Sequence, residues 1–180
     1  LSALGYEKVS GLVFSRSSDR IPLDKIFSRC PIKYSILKIP RSFPRYKIRS
    51  DIDVVVEDVD KFLDYLCSLE LGQVSILNLD AKGRCQVNFI PPGGDDLDIM
   101  IDIIIDFSKA YGQISVDKSF LDFCLSNSFL NEYDISVPIE SIDNAVRYFE
   151  YKEFISTRPD KIKHINYLRR SKTKSFIDIV

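Results

Sequence analysis

The stretch YKIRSDIDVVVEDVDKF, residues 46–62, sets two aspartates, Asp51 and Asp53, at the head of a run of valines. Val54, Val55 and Val56 favour a strand and a place in the core, whereas Asp is disfavoured in strands and costly to bury. The period then changes. Val59, Phe62, Leu63 and Leu66 recur at i, i+3, i+4 and i+7, which is the apolar face of an amphipathic helix. The segment therefore predicts a strand at DIDVVV (51–56) and a helix within EDVDKFLDYLCSLE, and it asks what two carboxylates do at the edge of a core.

Upstream, PLDKIF (22–27) reads as a short helix and IKYSILKI (32–39) as a strand. Between them and the aspartates lies PRSFPRYKIRS, with two prolines, no apolar periodicity and the basic residues Arg41, Arg45, Lys47 and Arg49, a loop with a positive face. Downstream, QVSILNLD and RCQVNFI are strand-like runs joined by Ala81, Lys82 and Gly83, a hairpin spacing. LDIMIDIIIDF (97–107) alternates, placing Asp98, Asp102 and Asp106 on one face and Ile99, Ile101, Ile103 and Ile105 on the other. From Asp117 the pattern turns helical, with Ile142, Ala145, Val146 and Phe149 in register and a break at Arg158–Pro159. The expected fold is α+β: a twisted, mixed sheet of about five strands carries the acidic cluster, with helices on its other face. The expected division is a core over residues 1–116 and a C-terminal helical subdomain over 117–180.

Composition narrows the function. With 25 basic and 26 acidic residues the formal net charge is −1, which argues against a general polyanion binder, because such affinity comes from neutralising many phosphates. Cys30, Cys67, Cys85 and Cys124 form no CxxC pair and only His164 could join them, so they read as free thiols of a cytoplasmic protein rather than zinc ligands. No apolar run reaches the roughly 20 residues of a membrane span; IMIDIIIDF is interrupted by Asp102 and Asp106. PPGGDD lacks the Walker lysine and reads as a turn, and His164, on a late amphipathic helix, reads as a packing or surface residue.

If the two acidic strands are neighbours with their faces aligned, Asp51, Asp53 and one downstream carboxylate converge. Such groups repel, and Mg2+ or Mn2+ would resolve the repulsion. Successive aspartates on the second strand stand about 13 Å apart, so only one of them can join the pair. Asp102, between Ile101 and Ile103, is the stronger candidate and Asp98 the reserve.

SDIDVVV followed by an amphipathic helix, and later by MIDII, resembles the nucleotidyltransferase fold of the DNA polymerase β superfamily over roughly residues 32–107. The tail, VPIESIDNAVRYFEYKEF with RPDKIKHINYL, is similar to the helical end of bacterial members associated with polysaccharide and surface-glycan biosynthesis. The resemblance implies metal ligation by Asp51 and Asp53, with Asp102 as the third carboxylate. It also implies Mg2+- or Mn2+-dependent transfer of a nucleotidyl or phosphoryl-linked group from a nucleoside triphosphate or other phosphorylated donor. The acceptor would be a hydroxyl or phosphate of a small molecule or glycan. Phosphocholine-transferase relatives of the fold keep non-nucleotide donors open. The family usually carries Gly-Gly or Gly-Ser before the aspartates; LKIPRSFPRYKIRS (37–50) has no glycine. There, Ser42 or Ser50 would supply a hydroxyl, and Lys38, Arg41, Arg45, Lys47 or Arg49 would hold phosphate oxygens. The alternative is a noncatalytic module of the same fold that binds a nucleotide or a glycan precursor.

Overall fold

The computed structural model describes residues 20–40, 42–47, 50–69, 73–90 and 99–169. The chain runs through β1 (Arg20–Pro22), α1 (Asp24–Phe27), β2 (Tyr34–Ile36), β3 (Arg45–Lys47), β4 (Asp51–Val56) and α2 (Val59–Ser68). It continues with β5 (Gln73–Leu79), β6 (Arg84–Ile90), β7 (Ile99–Ile104), α3 (Phe107–Ala110) and α4 (Phe120–Ser126). The last elements are β8 (Ser128–Leu130), β9 (Ser136–Pro138), α5 (Glu140–Phe154) and α6 (Ile162–Leu168).

The architecture is α+β, around a five-stranded mixed sheet in the order β2-β4-β7-β6-β5. β4 and β7 are parallel and every other neighbouring pair in the sheet is antiparallel. The valine run becomes β4 with the bounds read from the sequence, and the helix after it is capped by Asp58, whose side chain accepts from Lys61 N at 3.0 Å. Phe62 and Leu66 are its buried residues. The β5–β6 hairpin turns on Gly83 at φ +60, where a side chain would meet the Asp106 carbonyl oxygen at 2.3 Å. The Gly83 carbonyl in turn accepts from the backbone of Ile105 and Asp106, tying the hairpin to the end of β7.

Four expectations are corrected. Helices cover both faces of the sheet rather than one. Ile52, Val54 and Val56 pack with α1 and α2, while Val55 and Ile104 pack with Phe107, Phe120, Ile142 and Phe149 of α3, α4 and α5. The sequence carries the reason, since unbroken VVV and III runs suit a strand buried on both faces. The basic loop contains β3, whose Arg45–Lys47 pairs with β1. The helical tail contains a hairpin, β8–β9, whose turn is closed by Asn131 Oδ1 accepting from the backbone of Tyr133 and Ile135. Finally, β7 stops at Ile104, so Asp106 leaves the strand face and caps α3, accepting from Ser108 N at 2.9 Å. Cys85 and Cys124 are buried free thiols and Cys30 and Cys67 are half-buried ones. Among the described residues no helix is long and apolar enough to cross a membrane.

Candidate functional site

Parallel pairing of β4 with β7 sets Asp53 directly opposite Asp102, so the two carboxylates stand side by side on one face of the sheet. Asp51, two residues earlier and opposite Met100, is exposed. Asp53 is buried, and the reason it can be is visible at once. The Lys38 ammonium lies 2.8 Å from Asp53 Oδ2, and the Arg84 guanidinium binds Asp102 Oδ2 and approaches Asp53 Oδ1 at 3.9 Å.

Each cation is delivered by local backbone geometry. Lys38 follows β2 in the left-handed region, at φ +55, a conformation costing a residue with a side chain about 1 kcal/mol or more. Its backbone N–H donates to the Asp143 carboxylate of α5, and Arg147, one turn on, donates to Asp143 Oδ2 and to the Ile39 carbonyl, both at 2.8 Å. Arg84 is the first residue of β6, set immediately after the Gly83 turn.

The Lys38 ammonium also donates to Glu150 Oε2 on α5, and Glu150 Oε1 accepts from Lys161. A line of charges of alternating sign therefore crosses from the sheet to the C-terminal helices: Asp102, Arg84, Asp53, Lys38, Glu150, Lys161. His164 Nε2 stands 3.7 Å from Glu150 Oε1, too far for a hydrogen bond, and the ring is 5% exposed. Tyr111 is fully buried against the same groups. The Arg84 guanidinium lies 5.4 Å from its ring centre, and the Tyr111 hydroxyl has no hydrogen-bond partner among the described residues.

Burial raises the Asp53 carboxyl to about 6; Lys38 pulls it back, and Glu150 and Asp102 push it up. Burial works in the same direction on Glu150, but the ammonium groups of Lys38 and Lys161 outweigh it and hold that carboxyl far below its usual range. For Lys38, burial disfavours the ammonium, yet Asp53, Tyr111 and Glu150 prevail and its pKa rises. Burial lowers His164, which leaves the ring neutral at pH 7, and pushes the Tyr111 phenol up to about 12.

A cleft of about 490 Å³ opens onto part of this cluster. Lys38, Asp51, Asp53, Glu150, Lys161 and His164 line it, and toward solvent so do Ser42, Lys47, Ser50, Arg158 and Lys163. Asp102 is beside Asp53 but does not line the cleft, and Arg45, on β3, does not either. Ser42 Oγ donates to the Arg45 carbonyl within its own turn. Asp98, Arg41 and Arg49 lie outside the described residues.

The donor set does not fit a resident Mg2+ or Mn2+ as it stands. Among the described residues no group of three or more His, Cys, Asp or Glu side chains is placed to hold a metal ion. Asp53 and Asp102 already have their charge met by an ammonium and a guanidinium.

The sequence does not single out Arg84, Glu150 or Lys161 as site residues, and its pattern reads His164 as a packing or surface residue. Arg84 had left a trace: in RCQVNFI the polar Arg84, Gln86 and Asn88 alternate with buried Cys85, Val87 and Phe89, and Gln86 pairs with Asp102. That puts the polar face of β6 beside the acidic face of β7. Glu150 left none, because a glutamate on an amphipathic helix is ordinarily solvated. No protein-family model matches the chain, and neither a curated protein nor a solved structure matches it.

Proposed function

We propose that the chain is a nucleotidyltransferase-like protein that takes the phosphate end of a donor, a nucleoside triphosphate first among candidates, into the cleft. It transfers a nucleotidyl or other phosphoryl-linked group to a hydroxyl or phosphate acceptor, and the resemblance of the tail makes a glycan precursor the acceptor to try. The observation that carries the reading is the register Asp53 opposite Asp102, with Asp53 lining a cleft that Lys47, Arg158 and Lys163 also line.

The chemistry asked of these residues is an in-line displacement at phosphorus. The acceptor oxygen bonds to phosphorus, the bond to the leaving phosphate breaks, and negative charge moves onto the leaving oxygens. Lys47, Arg158 and Lys163 hold phosphate oxygens by charge-assisted hydrogen bonds, with Ser50 as a hydroxyl donor. Asp53, raised by burial to about 6, has the basicity to take the acceptor's proton near neutral pH.

A second reading, a noncatalytic module that binds the same ligand, is favoured by Lys38 and Arg84, which already neutralise the carboxylates. One screen separates the two. The protein is incubated with each common nucleoside triphosphate, with Mg2+ or Mn2+ and a panel of sugar and sugar-phosphate acceptors, and read for pyrophosphate release and for the shift in melting temperature. Transfer is expected to give release that disappears in Asp53→Asn. A melting shift without release supports the binding module, and neither signal sinks both readings.

A further inference from the structure

We infer that the phosphorylated ligand of the cleft is a sugar phosphate, with a ring hydroxyl on the His164 imidazole and the phosphate on Lys47, Arg158 and Lys163. The inference deepens the reading of the site given above by naming that ligand, and it rests on that reading only for the reaction the ligand would enter.

The lining of the cleft divides by burial and charge. Its buried cations are already matched: Lys38 faces Asp53 and Glu150, Lys161 faces Glu150, and Arg147 holds Asp143. A phosphate placed among them would meet two carboxylates and gain no uncompensated cation. The exposed lining differs. Among the described residues, Lys47, Arg158 and Lys163 stand there against one carboxylate, Asp51. Arg158 and Lys163 share a further one, Asp160, at 3.5 and 3.9 Å. Exposed pairs of that kind are weak, so a phosphate can draw both cations from Asp160 by charge-assisted hydrogen bonds.

Beside the matched charges lies an unmatched group. His164 is 5% exposed and lines the cleft, yet neither ring nitrogen has a hydrogen-bond partner among the described residues, and Nε2 stands 3.7 Å from Glu150 Oε1. A buried polar group left so is costly, and a ligand that completes it removes the cost. The ring, neutral at pH 7, presents one N–H and one lone pair, and a hydroxyl, donor and acceptor at once, serves either. Because no hydrogen bond holds the ring, turning it toward the cleft breaks none. Glu150 and Lys161 beside it add an acceptor and a donor for further hydroxyls, which suits a polyol and not a hydrocarbon. Tyr46, the aromatic residue besides His164 in the described lining, is buried and offers no open face on which a base could stack. That sets a free sugar phosphate ahead of a nucleotide.

His164 is the one histidine of the chain, so isotope-labelled imidazole gives a single pair of ring-nitrogen signals in nuclear magnetic resonance. The full chain is titrated at pH 7, without nucleoside triphosphate, with a panel of hexose and pentose monophosphates, and with inorganic phosphate and adenosine monophosphate for comparison. At least one panel member is expected to shift those signals saturably and to bind about tenfold more tightly than inorganic phosphate, which binds without moving them. His164→Leu is expected to bring the sugar phosphate down to the affinity of inorganic phosphate. His164→Gln, with a donor and an acceptor of its own, should restore part of the difference, and Arg158→Gln combined with Lys163→Gln should weaken both ligands. A panel that moves no ring signal, or an advantage over inorganic phosphate that survives His164→Leu, overturns the inference. So does a larger shift from adenosine monophosphate than from every panel member, which would assign the site to a nucleotide. Should His164→Leu fail to melt cooperatively, the wild-type titration and His164→Gln decide. Since no turnover is read, a silent transfer screen leaves this result intact, and pyrophosphate release with an unmoved ring sinks this inference while keeping the transfer reading.

Discussion

Glu150 is where the energetics of the site concentrate. It is 5% exposed and is the carboxylate shared by Lys38 and Lys161. Removing one member of a buried ion pair typically costs about 3–5 kcal/mol, because the partner's charge is left uncompensated. Glu150→Gln is therefore expected to lower the melting temperature at pH 7 by roughly 6 °C or more, at about 2–4 °C per kcal/mol for a chain of this size. The pH dependence follows from the sign of the shift. The folded-state pKa of Glu150 lies below its ordinary 4.5, so its stabilisation is fully present above that value and is lost as the pH falls beneath it. The gap between wild type and Glu150→Gln should be widest at neutral pH and begin to narrow only as the pH falls beneath about 4.5, measured by thermal melts across that range; a gap that stays constant would assign the loss to packing. The sequence displayed the carboxylates of this site but not their partners. Asp51 and Asp53 stand out because aspartates break a valine run, whereas Lys38 ends a strand-like run as any surface lysine could. Its role depends on a contact with a residue more than a hundred positions away, and no local pattern records that.

At the scale of elements, β6 carries a requirement that local reading does capture. Gly83 combines φ +60 with a 2.3 Å approach of a Cβ position to the Asp106 carbonyl, so an alanine meets both backbone strain and a backbone clash. The left-handed conformation alone costs about 1–2 kcal/mol, and a clash with main chain cannot be relieved by a rotamer. Gly83→Ala is expected to lose at least about 2 kcal/mol in urea unfolding. A variant as stable as the wild type would show that the turn adjusts. Long elements such as β4, α2, β6 and α5 were legible because their apolar periods run over several repeats. The three-residue strands β1, β3, β8 and β9 were not, for each is held by its partner rather than by its own pattern, and residues such as Arg45 and Ser136 have no intrinsic strand signal.

Taken whole, the molecule joins its β-rich and α-rich halves through both apolar and polar contacts. Val55, Leu37 and Ile104 of the sheet region share a core with Ile142, Val146 and Phe149 of α5, and the same helix supplies Asp143 and Glu150 to Lys38. A chain ending at Ile139 is accordingly expected to lose its cooperative melt by circular dichroism, since it uncovers that core and leaves a buried ammonium with one partner fewer. Retention of a sharp transition would show that the first part folds by itself. The alternating line from Asp102 to Lys161 also bears on how this sequence can drift. Three acids and three bases stand in order, so losing any one leaves an odd charge in the interior, while losing two neighbours together restores neutrality. Tolerated change along that line should come as adjacent pairs, Lys38 with Glu150 or Arg84 with Asp102, and a lineage that has lost one of them should be found to have lost its neighbour too.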